Sequence, residues 1–239
     1  MIGVFDYTVI LTYLSLLSAG TGIVVALSGS GHPYIGVFFL LICGLCDAFD
    51  GKVARMKPNR TAREIAFGIQ IDSLSDLVAF GVLPACIGAA MFRTSPFLTE
   101  TLGLNRDLWY CVLVKYILFA ILIVYILAAL IRLAWFNVTE EERQRAGAGA
   151  RMEYTGLPVT SSALIFPSVL LIRYLIQVIF EVDFALLYFF AVILVGYAFV
   201  ARFKVKKPGL RGILIMIAVG AAEFLILAFL WSFFQGRVK

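Results

Sequence analysis

The sequence predicts an all-α fold: a polytopic integral membrane helix bundle of about seven transmembrane helices. Three observations carry that prediction. Hydrophobic residues fill 62% of the 239 positions, and charged residues only 15%. The mean hydropathy is +0.98. The apolar residues gather into runs close to the ~20 residues that cross hydrocarbon as a helix. Seven runs can be drawn, at 9–27, 34–49, 77–92, 108–136, 157–180, 184–203 and 213–234. The gaps between them leave no room for a large soluble domain, so residues 1–239 are expected to form a single membrane-embedded domain.

The first run has no basic stretch before it, and Ser18-Ala19-Gly20 falls inside it rather than after it. A cleaved leader is therefore not expected. The second and third runs are short, and each reaches spanning length only if its aspartate-bearing end stays helical. Between the first two, His32 lies in "GSGHP" and reads as a solvated turn residue. Cys43-x-x-Cys46 has no second ligand pair, so these cysteines, with Cys86 and Cys111, read as small apolar packing residues. After the fourth run, "TEEERQRAGAGAR" (139–151) reads as a solvated, mobile connection.

Basic residues divide unevenly between the two sets of ends. The 2–3, 4–5 and 6–7 connections hold Lys52, Arg55, Lys57, Arg60, Arg63, Arg132, Arg143, Arg145, Arg151, Arg202, Lys204, Lys206, Lys207 and Arg211, fourteen of the twenty. The positive-inside rule then puts these connections in the cytoplasm, the N-terminus inside and the C-terminus outside. The net charge of +5 suits anionic membrane lipids as partners. Nothing interleaves aromatic with basic residues as a nucleic-acid surface would, and no nucleic-acid partner is expected. The sequence contains no internal repeat or low-complexity tract.

Four aspartates stand at the 2–3 connection. Asp47 and Asp50 are i, i+3, while Gly68, Asp72 and Asp76 are i, i+4, i+8, so each set shares one helix face. Lys57-Pro58-Asn59-Arg60 breaks the chain between them. The two helices are then antiparallel, with both aspartate pairs at similar depth just inside the membrane boundary. Four converging carboxylates repel unless protons or a cation enter. Hard divalent cations prefer oxygen ligands, and Mg²⁺ bridges carboxylates to substrate phosphates. The pattern thus suits one or two Mg²⁺ or Mn²⁺ ions facing a phosphate-containing ligand. Gly51, Ala54 and Gly68 leave room for a bulky group, and Arg55 can give a bidentate phosphate contact. Two other readings stay open on spacing alone: pairing of the aspartates with Lys52, Arg55 and Arg63, and a cation transporter with an acidic ion site.

"DAFDGKVAR…GIQIDSLSD" resembles the signature of the CDP-alcohol phosphotransferase family, D-x2-D-G-x2-A-R-xn-G-x3-D-x3-D. Asp47, Asp50, Gly51, Ala54, Arg55, Gly68, Asp72 and Asp76 match every fixed position, and twelve residues separate Arg55 from Gly68, more than most members have. The resemblance implies a membrane enzyme that uses a CDP-linked lipid and a divalent metal. It implies metal ligation by Asp47, Asp50 and Asp72, and a base at Asp76 that also contacts metal. It further implies a CDP site lined by Asp50, Gly51, Ala54, Arg55 and Gly68, and a homodimer.

"IDSLSDLVAFGVLPA", "LIRLAWFN" and "YTGLPVTSSA" are similar to elements of the phosphatidylserine synthase branch, with departures at Ser18, Trp135 and Thr160. That branch implies transfer of a phosphatidyl group from CDP-diacylglycerol to L-serine, with release of CMP. Glycerol phosphate, inositol phosphate or an amino alcohol are the alternative acceptors. Arg132, Asn137 and Arg151 are the candidate contacts to acceptor or phosphate.

Overall fold

A computed structural model describes residues 3–28, 32–147, 153–206 and 209–234. Eight α-helices appear among them. Six helical passages are long and apolar enough to cross a membrane: Ile10–Leu27, Pro33–Arg55, Ala62–Thr94, Trp109–Arg145, Val159–Phe180 and Arg211–Phe229. The polytopic bundle predicted from composition is what forms.

Helix α1 (Ile10–Leu27) turns a stripe of small and hydroxyl residues inward: Thr12, Ser15, Ala19, Gly22 and Ala26. That stripe lets α2 (Pro33–Arg55) approach closely, and Ser18 Oγ donates to Phe39 O at 3.0 Å. Small residues permit such close packing where helices cannot rely on hydrophobic expulsion from water. Pro33 occupies the first turn of α2, where its missing N–H is harmless. His32 is not the solvated turn residue expected. It is the N-cap of α2, half-buried and stacked on Tyr34 with ring centroids 5.0 Å apart. Burial, with Arg173 nearby, pushes its imidazole down to about 4.

The third passage has two parts. Helix α3 (Ala62–Asp76) starts at a reciprocal cap, in which Thr61 Oγ1 accepts from Glu64 N and Glu64 Oε2 accepts from Thr61 N at 2.7 Å. Thr61→Ala is expected to cost about 1 kcal/mol, read as earlier thermal unfolding in detergent. A π-helical turn (Leu77–Val82) then leads into α4 (Leu83–Thr94). Pro84 has no N–H to offer the preceding turn. The Phe80 carbonyl instead accepts from Tyr125 Oη at 2.6 Å, and Tyr125 Oη lies 2.9 Å from Ser162 Oγ. Continuity from Ala62 to Thr94 gives the third run the spanning length that its apolar core lacks.

Helix α5 (Trp109–Arg145) is 37 residues long, about 55 Å at helical rise. It continues through 139–145, part of the stretch read from sequence as a mobile connection. Glu140 with Arg143 and Glu141 with Arg145 form i, i+3 and i, i+4 pairs that support this extension. The remainder of that stretch, 148–151, lies outside the described residues.

Beyond α5, strand β1 (Glu153–Thr155) pairs antiparallel with β2 (Lys204–Lys206), with Tyr154 opposite Val205. Gly156 follows at φ +78°, where a Cβ would sit 2.9 Å from the Ala201 carbonyl oxygen, so only glycine fits. Helix α6 (Ser162–Phe180) and α7 (Leu186–Val200) come before and α8 (Leu210–Phe234) after β2 in the chain. At 15 residues α7 is shorter than the run at 184–203, because the chain past Val200 leaves the helix to pair as β2. Tyr125, Phe166, Tyr188, Phe189 and Phe199 form the aromatic centre of the bundle.

A buried polar cluster sits at the end of α2 away from the aspartates. Arg173 Nε donates to Asp183 Oδ1 at 2.9 Å, and Arg173 Nη1 lies 3.3 Å from Tyr34 Oη. Asp183 Oδ2 accepts from Ser95 Oγ and from Phe97 N. This cluster ties α2, α4, α6 and the approach to α7 together.

Candidate active site

Helical period places Asp47 and Asp50 on one face of the last turns of α2. Met56 to Thr61 reverses the chain, and α3 returns with Gly68 and Asp72 facing back. Asp47, Asp50 and Asp72, all half-buried, each offer a carboxylate oxygen, and the three lie within 4.8 Å of one another. Asp50 Oδ1 also accepts from Gly51 N. Asp76, one turn deeper, is only 8% exposed. It lies outside this triad, although its carboxyl remains within Coulombic reach of all three. The structure therefore gathers three of the four aspartates and sets the fourth beneath them.

The triad fits a divalent cation. Its donors are hard carboxylate oxygens, and two ligands 2.0–2.1 Å from one Mg²⁺ are at most about 4.2 Å apart, close to the spacing here. Among the described residues no lysine or arginine forms an ion pair with any of the four aspartates. Lys52 instead lies 5.4 Å from the centroid of the Phe49 ring. The geometry thus gives no support to simple pairing with Lys52, Arg55 or Arg63.

Helix α1 packs against both α2 and α3, and a cleft of about 220 Å³ remains between those two helices. Asp50, Gly51, Ala54 and Arg55 line it from α2; Ile65, Gly68, Ile69 and Asp72 line it from α3. Thr8, Val9 and Thr12 form a third side, and Arg60 enters from the turn. Six of the eight signature residues thus share one space. Arg55 folds beside Gly51, where a Cβ would meet Nη1 at 3.3 Å.

Thr8, Thr12 and Arg60 were not singled out from sequence. For the threonines the available signal was the buried hydroxyl spacing of Thr8, Thr12 and Ser15, at i, i+4, i+7. The segment before α1 is fixed to the turn by Lys57, which donates to Asp6 Oδ2 and Glu64 Oε1 at 2.7 Å each. Lys57 and Thr8 hold the Asp6 carboxyl down at about 2.

The outlying candidates behave differently from one another. Arg132 is buried and donates through Nε to Leu157 O at 2.9 Å and through Nη2 to Gly156 O at 3.3 Å. It supports the turn after β1. Asn137 Nδ2 donates to Ser73 Oγ at 2.7 Å, beside Asp72 in the chain, so α5 closes on α3 next to the triad. Arg151 lies outside the described residues.

The family model for CDP-alcohol phosphatidyltransferase matches residues 7–193. CDP-diacylglycerol--serine O-phosphatidyltransferase of Saccharomyces cerevisiae is 32% identical over 142 residues, covering 58% of this chain and 43% of the yeast protein. Archaetidylserine synthase of Methanothermobacter thermautotrophicus is 30% identical over 159 residues, 65% of this chain and 54% of that protein. CDP-diacylglycerol--serine O-phosphatidyltransferase of Mycobacterium leprae is 30% identical over 155 residues, 64% and 43% of the two chains. These matches span about half the length of the curated relatives. No solved structure gives a significant match.

Proposed function

This chain belongs to the CDP-alcohol phosphatidyltransferase family, and from that membership we propose that it transfers the phosphatidyl group of CDP-diacylglycerol to L-serine, releasing CMP. The observation that carries this reading is the cleft itself. Six signature residues line one space between α2 and α3, and two of them, Asp50 and Asp72, belong to the carboxylate triad. The relatives named as serine phosphatidyltransferases support serine as the acceptor.

Asp47, Asp50 and Asp72 would hold Mg²⁺ or Mn²⁺. When bound, such an ion neutralises the carboxylates and withdraws charge from phosphate oxygens. Gly51, Ala54 and Gly68 admit the cytidine diphosphate close to backbone, and Arg55 hydrogen-bonds a phosphate oxygen. Asp76 takes the proton of the serine hydroxyl, which it must approach within hydrogen-bond reach. The serine oxygen bonds to the phosphorus that carries diacylglycerol, and the bond from that phosphorus to CMP breaks. Asn137 aligns α3 through Ser73, so it acts on the position of Asp72 and Asp76 rather than on substrate.

The excess of basic residues in the connections supports a cleft mouth on the cytoplasmic side, by the positive-inside rule. The lipid donor then enters through the bilayer and the polar acceptor from the cytoplasm. A homodimer, as implied by the resemblance, belongs to the same reading.

The test is an acceptor panel. Purified protein is incubated with labelled CDP-diacylglycerol, Mn²⁺ and, separately, serine, glycerol phosphate, inositol phosphate and ethanolamine. CMP and a serine lipid are expected to appear together and only with metal. A product from another acceptor and none from serine would reassign the acceptor. Absence of CMP with every acceptor, accompanied by cation flux in vesicles, would overturn the transferase reading.

A further inference from the structure

Arg60 is the one cation of the cleft that the signature does not include. It lies in the turn between α2 and α3, within the twelve residues that separate Arg55 from Gly68. Its side chain lines the cleft with Asp50, Arg55, Gly68 and Asp72. Nη2 reaches over the backbone of Gly68, 2.9 Å from the place a Cβ would occupy, and donates to Glu64 O at 3.3 Å. Nε is buried and has no hydrogen-bond partner. Among the described residues no carboxylate pairs with Arg60. The nearby Glu64 carboxylate is already held by Lys57 and by Thr61.

A guanidinium that lacks an anion and buries an unmet N–H is unfavourable as it stands. Its planar fork matches phosphate oxygens bidentately. The location selects which phosphates. Gly68 and Asp72 are i, i+4, so Arg60 reaches the cleft about 6 Å along the helix axis from the carboxylate triad. A nucleoside diphosphate bridges a gap of that size, with one end at the triad and the other beside the arginine. Glycine at 68 is what leaves space for the guanidinium to lie there.

We propose that Arg60 is a second phosphate-binding arginine of this cleft, closing with Arg55 on the diphosphate of the CDP-linked donor. The proposal rests on the transferase reading above and deepens it. The turn between α2 and α3 supplies a clamp on the leaving CMP moiety. Arg60 acts on donor binding and retention, while the acceptor and the proton transfer to Asp76 are untouched by it.

The test compares the full chain with Arg60→Ala and Arg60→Gln in detergent with Mn²⁺, by calorimetric titration with CDP, CMP and cytidine. Loss of charge-assisted phosphate contacts is expected to weaken CDP and CMP about ten- to a hundredfold. Cytidine, which has no phosphate, is expected to bind both variants as it binds the parent. In turnover, KM for CDP-diacylglycerol should rise by a similar factor with kcat changed less. Should either variant unfold, Arg60→Lys keeps the charge without the fork, and its CDP affinity is expected to fall several-fold while cytidine is unaffected. Equal CDP affinity in parent and variants would overturn the role of Arg60 alone. So would a parallel loss of cytidine and CDP, which marks a purely structural residue. Failure of the parent protein to bind CDP or CMP would overturn the transferase reading together with it.

Discussion

Replacing Asp72 with asparagine is expected to remove metal-dependent CMP release almost entirely, by a factor on the order of a thousand. The substitution is isosteric and leaves α3 in place, but it takes one of three charged oxygen donors from a triad that lies within 4.8 Å. Loss of an outer-shell partner to a metal already costs 10–100-fold, and loss of a single preformed electrostatic contact to the reacting group about 10²–10³-fold. Asp72 combines both effects. Residual activity should require a higher Mn²⁺ concentration than the parent. Stability should move the opposite way. In metal-free detergent the three carboxylates repel each other inside a half-buried site, and removing one charge relieves that repulsion. The asparagine variant is therefore expected to unfold at or above the temperature of the parent when chelator is present. An Asp72→Asn protein that keeps more than half its activity at low Mn²⁺ would rule out the triad as the metal centre.

At the other end of the bundle, Arg173→Ala is expected to destabilise the protein by about 3–5 kcal/mol, because it strands a buried charge. The side chains of Arg173 and Asp183 are 4% and 7% exposed, with Nη2 2.7 Å from Oδ1. Asp183 also holds Ser95 and the Phe97 amide. Alanine at 173 leaves its carboxylate with neutral donors only. Replacing both partners with apolar residues, Arg173→Met with Asp183→Leu, should recover most of the loss, since no unpaired charge remains. Chemical unfolding in detergent gives the comparison. The cluster lies near the start of α2, which is 23 residues or about 34 Å long, and the triad lies near its end. CMP release per folded molecule should accordingly match the parent. If the single variant is as stable as the double, the pair contributes packing rather than charge.

Much of this organisation was legible in the sequence because it is periodic or local. Spanning length follows from apolar runs, and the shared faces of Asp47 with Asp50 and of Gly68 with Asp72 follow from helical spacing. What the sequence hid depends on partners distant along the chain. Arg132 reads as a cation at the end of an apolar run, and only the fold brings Leu157 and Gly156 carbonyls to it. The β1–β2 pair joins three-residue segments about fifty positions apart, too short to show alternation. The mixed charges at 139–145 read as a connection, since their pairing across helical turns matters only once α5 has carried the helix beyond its apolar part. Asp76 shared the spacing of the site but not its depth. The π turn that starts directly after it, and the burial of that end of α3, were not encoded in a repeat.

That π turn makes two mechanical units of one membrane passage. Before it, α3 buries only Ser75 and Asp76 and presents the rest of its length to the cleft or the surroundings. After it, α4 buries Leu83, Pro84, Ala85, Ile87, Gly88, Ala90 and Met91 in the centre of the bundle. Tyr125 fastens the joint at the Phe80 carbonyl, and Tyr188 fastens the next turn at the Pro84 carbonyl, 2.7 Å away. The anchor is thus held by aromatic hydroxyls whose hydrogen bonds, among the described residues, fall outside α3. A side-chain change upstream of the joint removes neither of these two anchoring hydrogen bonds. The cleft-lining half and the core-packed half of this passage are thereby separated by a joint of their own.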